Sequence, residues 1–473
     1  MCRHDFAGSP VFPRQLPHAG RPHEMNRRLT ATAALALLGL AAASPPVVAA
    51  PGVSPARAFV PREVIVKFEG ERLARTVSVP AGVGVRRAAM SLRRSPAVAY
   101  AAPNHIARAS AAAASLTSSG LPNDPGPIDG PPGPPTGWVS LQWNFLPWAG
   151  GTGAALPTSP GGIDAVGAWR NLRDARRPGG RGVVVAVLDT GVAYRSFGGR
   201  FLRSPDFATG QFVPGFDFVA GDRLPLDQNG HGTHVAGTIA EKTDNGIGLV
   251  GLAHGAKLMP VRVLDRHGSG EADDIARGIR FAVAHGADVI NMSFNFGCNK
   301  PVPSIDEELR RAYRAGVVTV ASIGNLGAET CVSPPATGPR VIGVGGTTEG
   351  GCLGSYSLSG DGIDVVAPGG GVPAVGCPSV SARPIYQVTL KSGDGRRFGE
   401  PGTYVGTSMA AAHVSGLAAL VLASGVLEPL GAPQRTVNRV ARRIRSTARD
   451  LGLPPIRQGA GLIDAAAATS PAP

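Results

Sequence analysis

The 473-residue chain is poor in aromatic side chains, which make up 5% of it, and poor in cysteine, of which it has five. So few rings exclude a nucleic-acid platform built on base stacking. No two cysteines form a C-x-x-C pair, which weakens zinc and thioredoxin-type readings. The 66 glycines follow no Gly-X-Y period and there is no heptad run, so collagen and coiled coil are excluded. Beyond residue 50 no stretch reaches 18 uninterrupted apolar residues, and none reads as a membrane span. Acidic residues are the scarcer charge, 33 against 46 Lys and Arg, a net +13. That excess is local. Residues 1–110 hold 15 basic and 5 acidic residues, whereas residues 111–473 hold 31 and 28. A body so nearly balanced implies no polyanionic partner, nucleic acid included.

What is present is a globular composition, 43% apolar, in a chain long enough for a large core and a smaller unit. Arg27 and Arg28 precede an apolar run, Leu29–Ala43, and small residues near Ala49 and Ala50 follow, the pattern of an export signal. Met25, just ahead of the arginines, is the expected translational start, so residues 1–50 read as leader and signal peptide. The product is expected to be exported, extracellular or periplasmic, monomeric and without stable membrane insertion. In an oxidising compartment Cys298, Cys331, Cys352 and Cys377 are expected to form two bridges, Cys298–Cys331 and Cys352–Cys377. Residues 51–108 read as a small α+β unit, with a strand over 62–68, a short helix over 86–94 and a strand over 97–109. Residues 109–135, rich in Ala, Ser, Gly and Pro, read as an exposed linker where cleavage is easy.

Residues 136–473 form the main domain. Its apolar runs at 183–189, 257–265, 288–294, 317–325, 341–347 and 363–368 alternate with helical spacers such as 273–285 and 305–315. Continuous Val/Ile-rich runs are strands buried on both faces, so the expected fold is α/β: a mainly parallel, doubly wound sheet with helices on both faces. In such sheets ligands gather at the carboxyl ends of the strands. Asp189 ends VVVAVLD, His231 lies in NGHGTHVAGTIA, and Ser408 heads the apolar stretch GTSMAAAHVSGLAALVLASG. These are the residue types of nucleophilic catalysis: a hydroxyl, an imidazole to take its proton, and a carboxylate to orient the imidazole. Asn325 follows the run VVTVASIG and could, with the backbone N–H of Ser408, donate to an oxyanion. His231 and His234 also make His-x-x-His, but no Glu stands between them and no further ligand cluster is evident, so a metal site is not assigned. Gly-x-Ser-x-Gly is absent because Ala410 replaces the last glycine, which argues against an α/β-hydrolase elbow. The stretch GVGG at 343–346 lacks the spacing of a dinucleotide fingerprint.

Together the three motifs, in the order Asp, His, Ser, resemble those of the subtilisin-like serine proteases, the subtilase family, over about residues 160–468. The resemblance implies a secreted endopeptidase made as a zymogen, with Ser408 as nucleophile, His231 as base and then acid, Asp189 as its orienter and Asn325 as oxyanion donor. It further implies that Gly268, Ser269 and Gly270, with Ser293, Phe294 and Asn295, pair with an extended peptide or protein substrate. Residues 51–108 are similar to the family's inhibitory prodomain. No cofactor is required. Structural calcium is frequent in the family, but no ligands are assignable here. Three positions depart from the pattern. Ala412 stands where Pro is usual, which implies a straighter Ser408 helix. Asn295 and Ile323 stand where smaller residues are usual, which implies a narrowed pocket preferring small or medium apolar side chains. A catalytically silent relative would share the fold, although the presence of all four catalytic-type residues argues against silence.

Overall fold

The computed structural model describes residues 59–70, 75–105, 122–126, 137–151, 156–297, 302–327, 330–429 and 432–471. The expected leader and signal, most of the linker, and Cys298 with its expected bridge lie outside these residues. The chain divides into two compact units, residues 1–108 and 109–473.

In the first unit, β1 (Phe59–Phe68) is the middle strand of an antiparallel sheet between β2 (Arg75–Ser78) and β3 (Val98–His105), with helix α1 (Val85–Leu92) in the same unit. Strand periodicity puts Val64 and Val66 on one face, where they pack with Val79, Val85, Ala89, Val98 and Ala101. Strand β2 was not read from the sequence; its four residues are too few to show a period.

The second unit holds a seven-stranded sheet of β4 (Val184–Asp189), β5 (Phe216–Asp217), β6 (Lys257–Arg262), β7 (Val289–Met292), β8 (Val318–Ser322), β9 (Val341–Thr347) and β10 (Val365–Pro368), in the order β10-β9-β8-β7-β4-β6-β5. Every pairing in it is parallel. Each of the six apolar runs forms a strand; the exception, β5, is a two-residue edge strand. Beside β4 the chain winds one way through β5 and β6 and the other way through β7 to β10. The switch point therefore falls at β4, whose last residue is Asp189.

Helices α2 (Ala165–Asp174), α3 (His231–Ala240), α4 (Ala272–Ala284), α5 (Pro303–Ala315), α6 (Thr407–Ser424), α7 (Pro433–Ser446) and α8 (Ala465–Thr469) cover the sheet. Alternate β4 residues divide between the two faces. Val185 and Val187 join the cluster that includes Trp169, Ile239 and Leu417, while Ala186 and Leu188 join Ile275, Ile279 and Leu309. This is the doubly wound arrangement expected. Each fully buried Val or Leu contributes about 1.5–3 kcal/mol relative to exposure. Helix α6 is apolar enough in length and composition to cross a membrane, but 89% of it is buried inside the unit. Its uniform apolarity reflects burial on every side. Cys352 and Cys377 form the expected disulfide, 25 residues apart in sequence.

Candidate active site

Asp189 has no exposed surface. Its Oδ1 accepts from the N–H of Thr190 at 2.7 Å and lies 2.8 Å from Nδ1 of His231. A carboxylate only accepts, so Nδ1 carries the proton and Nε2 keeps the lone pair of a base. The other carboxylate oxygen, Oδ2, is buried without a hydrogen-bond partner. His231 is the first residue of α3, with a quarter (25%) of its side chain exposed. Burial lowers its pKa, but the charge and hydrogen bond of Asp189, aided by the charge of Asp227, outweigh that and leave it above the ordinary value. The following Gly232 is required by close approach, because a Cβ there would sit 2.1 Å from the carbonyl oxygen of Gly191, in the loop after Asp189.

Ser408 is the second residue of α6, which runs unbroken through Ala412. Its Oγ donates to the carbonyl of Ser293 at 3.1 Å, and the Ser293 hydroxyl donates back to the Ser408 carbonyl at 2.9 Å. Behind them Ser415 donates to Asn291, and Asn291 donates to the Ser293 hydroxyl, each at 2.9 Å. This buried chain moors the first turns of α6 to the end of β7. Among the described residues no hydrogen bond joins Ser408 to His231, so the structure brings Asp189 and His231 into contact and leaves the serine hydroxyl on Ser293.

Asn325 follows β8 and its Oδ1 accepts from both the N–H and the hydroxyl of Thr407, each at 2.9 Å. A backbone N–H can only donate, so the amide orientation is determined: the oxygen faces Thr407 and Nδ2 is left to donate. Gly406 makes room, with φ of 148° and a position where a Cβ would lie 3.1 Å from Nδ2. The N–H of Ser408, in the first turn of α6, has no partner within the helix. The sequence named these same two groups as candidates to donate to an oxyanion.

The expected substrate segments leave the carboxyl ends of β6 and β7. Gly268, Ser269 and Gly270 are exposed; Ser293 is buried, Phe294 half-buried and Asn295 exposed. Ser269 and Gly270 line a cavity of about 350 Å³ with Val219, Val263, Asp265, Glu271 and Asp274. Ile323 differs from expectation. It has no exposed surface and belongs to the core cluster with Val332, Ala336 and Leu358, so it lines no open pocket. His234 lies within 2.9 Å of the carbonyl of Ile385 through Nε2 and stacks on Tyr404 at 4.1 Å, and burial pulls its pKa down to about 3. It serves the core and makes no pair with His231. Among the described residues no group of three or more His, Cys, Asp or Glu is placed to hold a metal, and no residue is assigned to calcium. Sequence reasoning missed Ser293 as a partner of the Ser408 backbone, and Thr190, Asp227 and Thr233 as a network beside His231. The one signal for the latter was an Asp ahead of an Asn-Gly turn.

A family model described as the subtilase family matches residues 180–461. The chain is 39% identical over 248 residues to a thermophilic serine proteinase of Bacillus sp. (strain AK1), covering 52% of this chain and 54% of that protein, so it spans about half of that relative. It is 36% identical over 294 residues to subtilisin Savinase of Lederbergia lenta, covering 61% of this chain and 91% of that protein. It superposes on a solved protease structure from Pseudoalteromonas arctica with a TM-score of 0.54 and 30% identity, covering 65% of this chain and 94% of that one.

Proposed function

Because this chain belongs to the subtilase family, we propose that it is a secreted serine endopeptidase that cleaves protein and peptide substrates through Asp189, His231 and Ser408. The observation that carries the reading is the 2.8 Å contact from His231 to the buried Asp189 at the sheet's switch point. Ser408 Oγ attacks the scissile carbonyl while His231 Nε2 takes its proton. The imidazolium so formed is stabilised by Asp189, and the tetrahedral oxyanion by Asn325 Nδ2 and the N–H of Ser408. The intermediate collapses to an acyl-enzyme as His231 returns the proton to the leaving amine. Water, deprotonated by His231, then attacks the ester, releasing the acid and restoring Ser408.

Residues 1–50 act as leader and signal, 51–108 as an intramolecular inhibitory prodomain, and 109–135 as the processed linker. The names of the relatives, a serine proteinase and a subtilisin, support the serine-protease activity proposed above. The mature body is a monomer that needs no organic cofactor. Labelling of secreted protein with a fluorophosphonate, together with hydrolysis of a peptide library, tests the proposal. Wild type is labelled and cleaves, Ser408→Ala does neither, and equal labelling of both would refute it.

A further inference from the structure

Asp227 stands four residues before His231, is 1% exposed, and touches none of the atoms that react. Its two oxygens accept five hydrogen bonds. Oδ1 takes the hydroxyl of Thr190 at 2.9 Å and the N–H groups of Asn229 at 2.9 Å and Gly230 at 3.0 Å. Oδ2 takes the N–H of Thr233 at 3.0 Å and its hydroxyl at 2.6 Å. The Thr190 hydroxyl in turn accepts from the N–H of Gly232 at 3.0 Å.

A carboxylate without water costs several kcal/mol unless its lone pairs are filled, and here burial pushes its pKa up against the hydrogen bonds that hold it down. A helix cap would need only the donors of the first turn of α3, since Gly230 has no capping side chain of its own. The bond from Thr190 is a further element. It reaches across to the residue that follows Asp189, so one carboxylate ties the end of β4 to the start of α3.

Resting on the reading of Asp189, His231 and Ser408 as the reacting set, we propose that Asp227 is a positioning residue for the hydrolysis: it sets the Asp189–His231 distance and its charge favours the imidazolium formed as Ser408 loses its proton. The groups facing His231 are Asp189 from β4, Asp227 from the loop, His234 from α3, and Tyr404, whose ring centre is 6.5 Å away in the segment before α6. Burial keeps His234 neutral and raises the Tyr404 phenol. Asp189 and Asp227 are therefore the charges that bear on the imidazole.

The test uses the processed, secreted enzyme and a chromogenic peptide, with pH profiles for wild type and Asp227→Asn and with Ser408→Ala in parallel. The expected result is a fall in kcat on the order of 10–100-fold, little change in KM, and an acid limb of kcat/KM displaced to lower pH. An Asp227→Asn enzyme of lowered melting temperature, but with wild-type kcat and acid limb, would overturn the proposal and leave Asp227 a cap. Should that variant not fold, Thr233→Val decides: kcat falls and Thr233→Ser recovers it, whereas wild-type kcat in Thr233→Val overturns the proposal. Full turnover by Ser408→Ala would instead sink the parent reading, and the inference with it, so the two failures are told apart.

Discussion

Ser293 and Ser408 hold each other by two hydrogen bonds, hydroxyl to carbonyl in both directions, at 2.9 and 3.1 Å. The Ser293 hydroxyl is also the acceptor for the fully buried amide of Asn291. Ser293→Ala therefore releases the Ser408 carbonyl and strands a buried donor, a loss of about 1–3 kcal/mol that falls at the turn carrying the nucleophile. The expected outcome is a kcat lowered by roughly tenfold, at 1.4 kcal/mol per tenfold, with fluorophosphonate labelling slowed in parallel. Unchanged labelling would show that Ser408 is held well enough without Ser293.

Asn325 accepts with one end of its amide and donates with the other, so two variants separate the two duties. Asn325→Asp keeps the acceptor for Thr407 and loses the donor; Asn325→Ala loses both. Each should lower kcat by about 10²–10³, the loss that removal of one such donor causes in a subtilisin, with the larger fall in melting temperature in Asn325→Ala. Wild-type kcat in Asn325→Asp would remove Nδ2 from the oxyanion site.

His231 works as a base only when neutral, and its pKa lies above the ordinary 6.5. Activity should therefore rise with pH through a limb placed above 6.5, since protons bound at lower pH block the acceptor nitrogen. A kcat/KM profile whose acid limb sits at or below 6.5 would contradict the dominance of Asp189 over burial.

Stability should move the opposite way. Burial pushes Asp206 up from 3.8 to about 8 and Asp124 up to about 6, and it also raises the fully buried Glu241. The folded chain thus keeps protons that the unfolded chain has already released. The stability they contribute is complete below about 3.8 and is lost as pH rises toward 8. Melting temperatures of Ser408→Ala protein in chelating buffer should fall over that window, and Glu241→Gln should flatten the fall. A flat profile in the parent protein would refute the assignment.

The Cys352–Cys377 bridge closes a separation of 25 residues. In the chain-entropy account a loop of that length is worth about 3–4 kcal/mol. The double variant Cys352→Ser, Cys377→Ser should unfold at lower denaturant with little change in kcat, because the polar contacts of the two cysteines go to Thr348, Gly350 and Ala374 and not to Asp189, His231 or Ser408. An unchanged midpoint would mean that the unfolded loop is already restrained.

The seven strands show how far local pattern carries. VVVAVLD is legible as β4 because every residue is apolar up to Asp189, and both faces of that strand are covered. Phe216–Asp217 was not legible, since two residues at a sheet edge carry no period. Ile323 illustrates the reverse: the family resemblance implied that it narrows a pocket, and the packing of Leu358 and Val332 makes it core.

Residue types and order alone determined that a carboxylate ends an apolar strand and that an imidazole and a hydroxyl head small-residue helices, because apolar runs and the residues that bound them are properties of short stretches. Only the tertiary structure decided that Asp227 gathers five donors from two segments, that Asn325 turns its oxygen to Thr407, and that the Ser408 hydroxyl rests on Ser293. Those choices pair atoms across as many as 115 positions of chain. Hydrogen bonds of such separation follow from how the layers pack, and no periodicity records them.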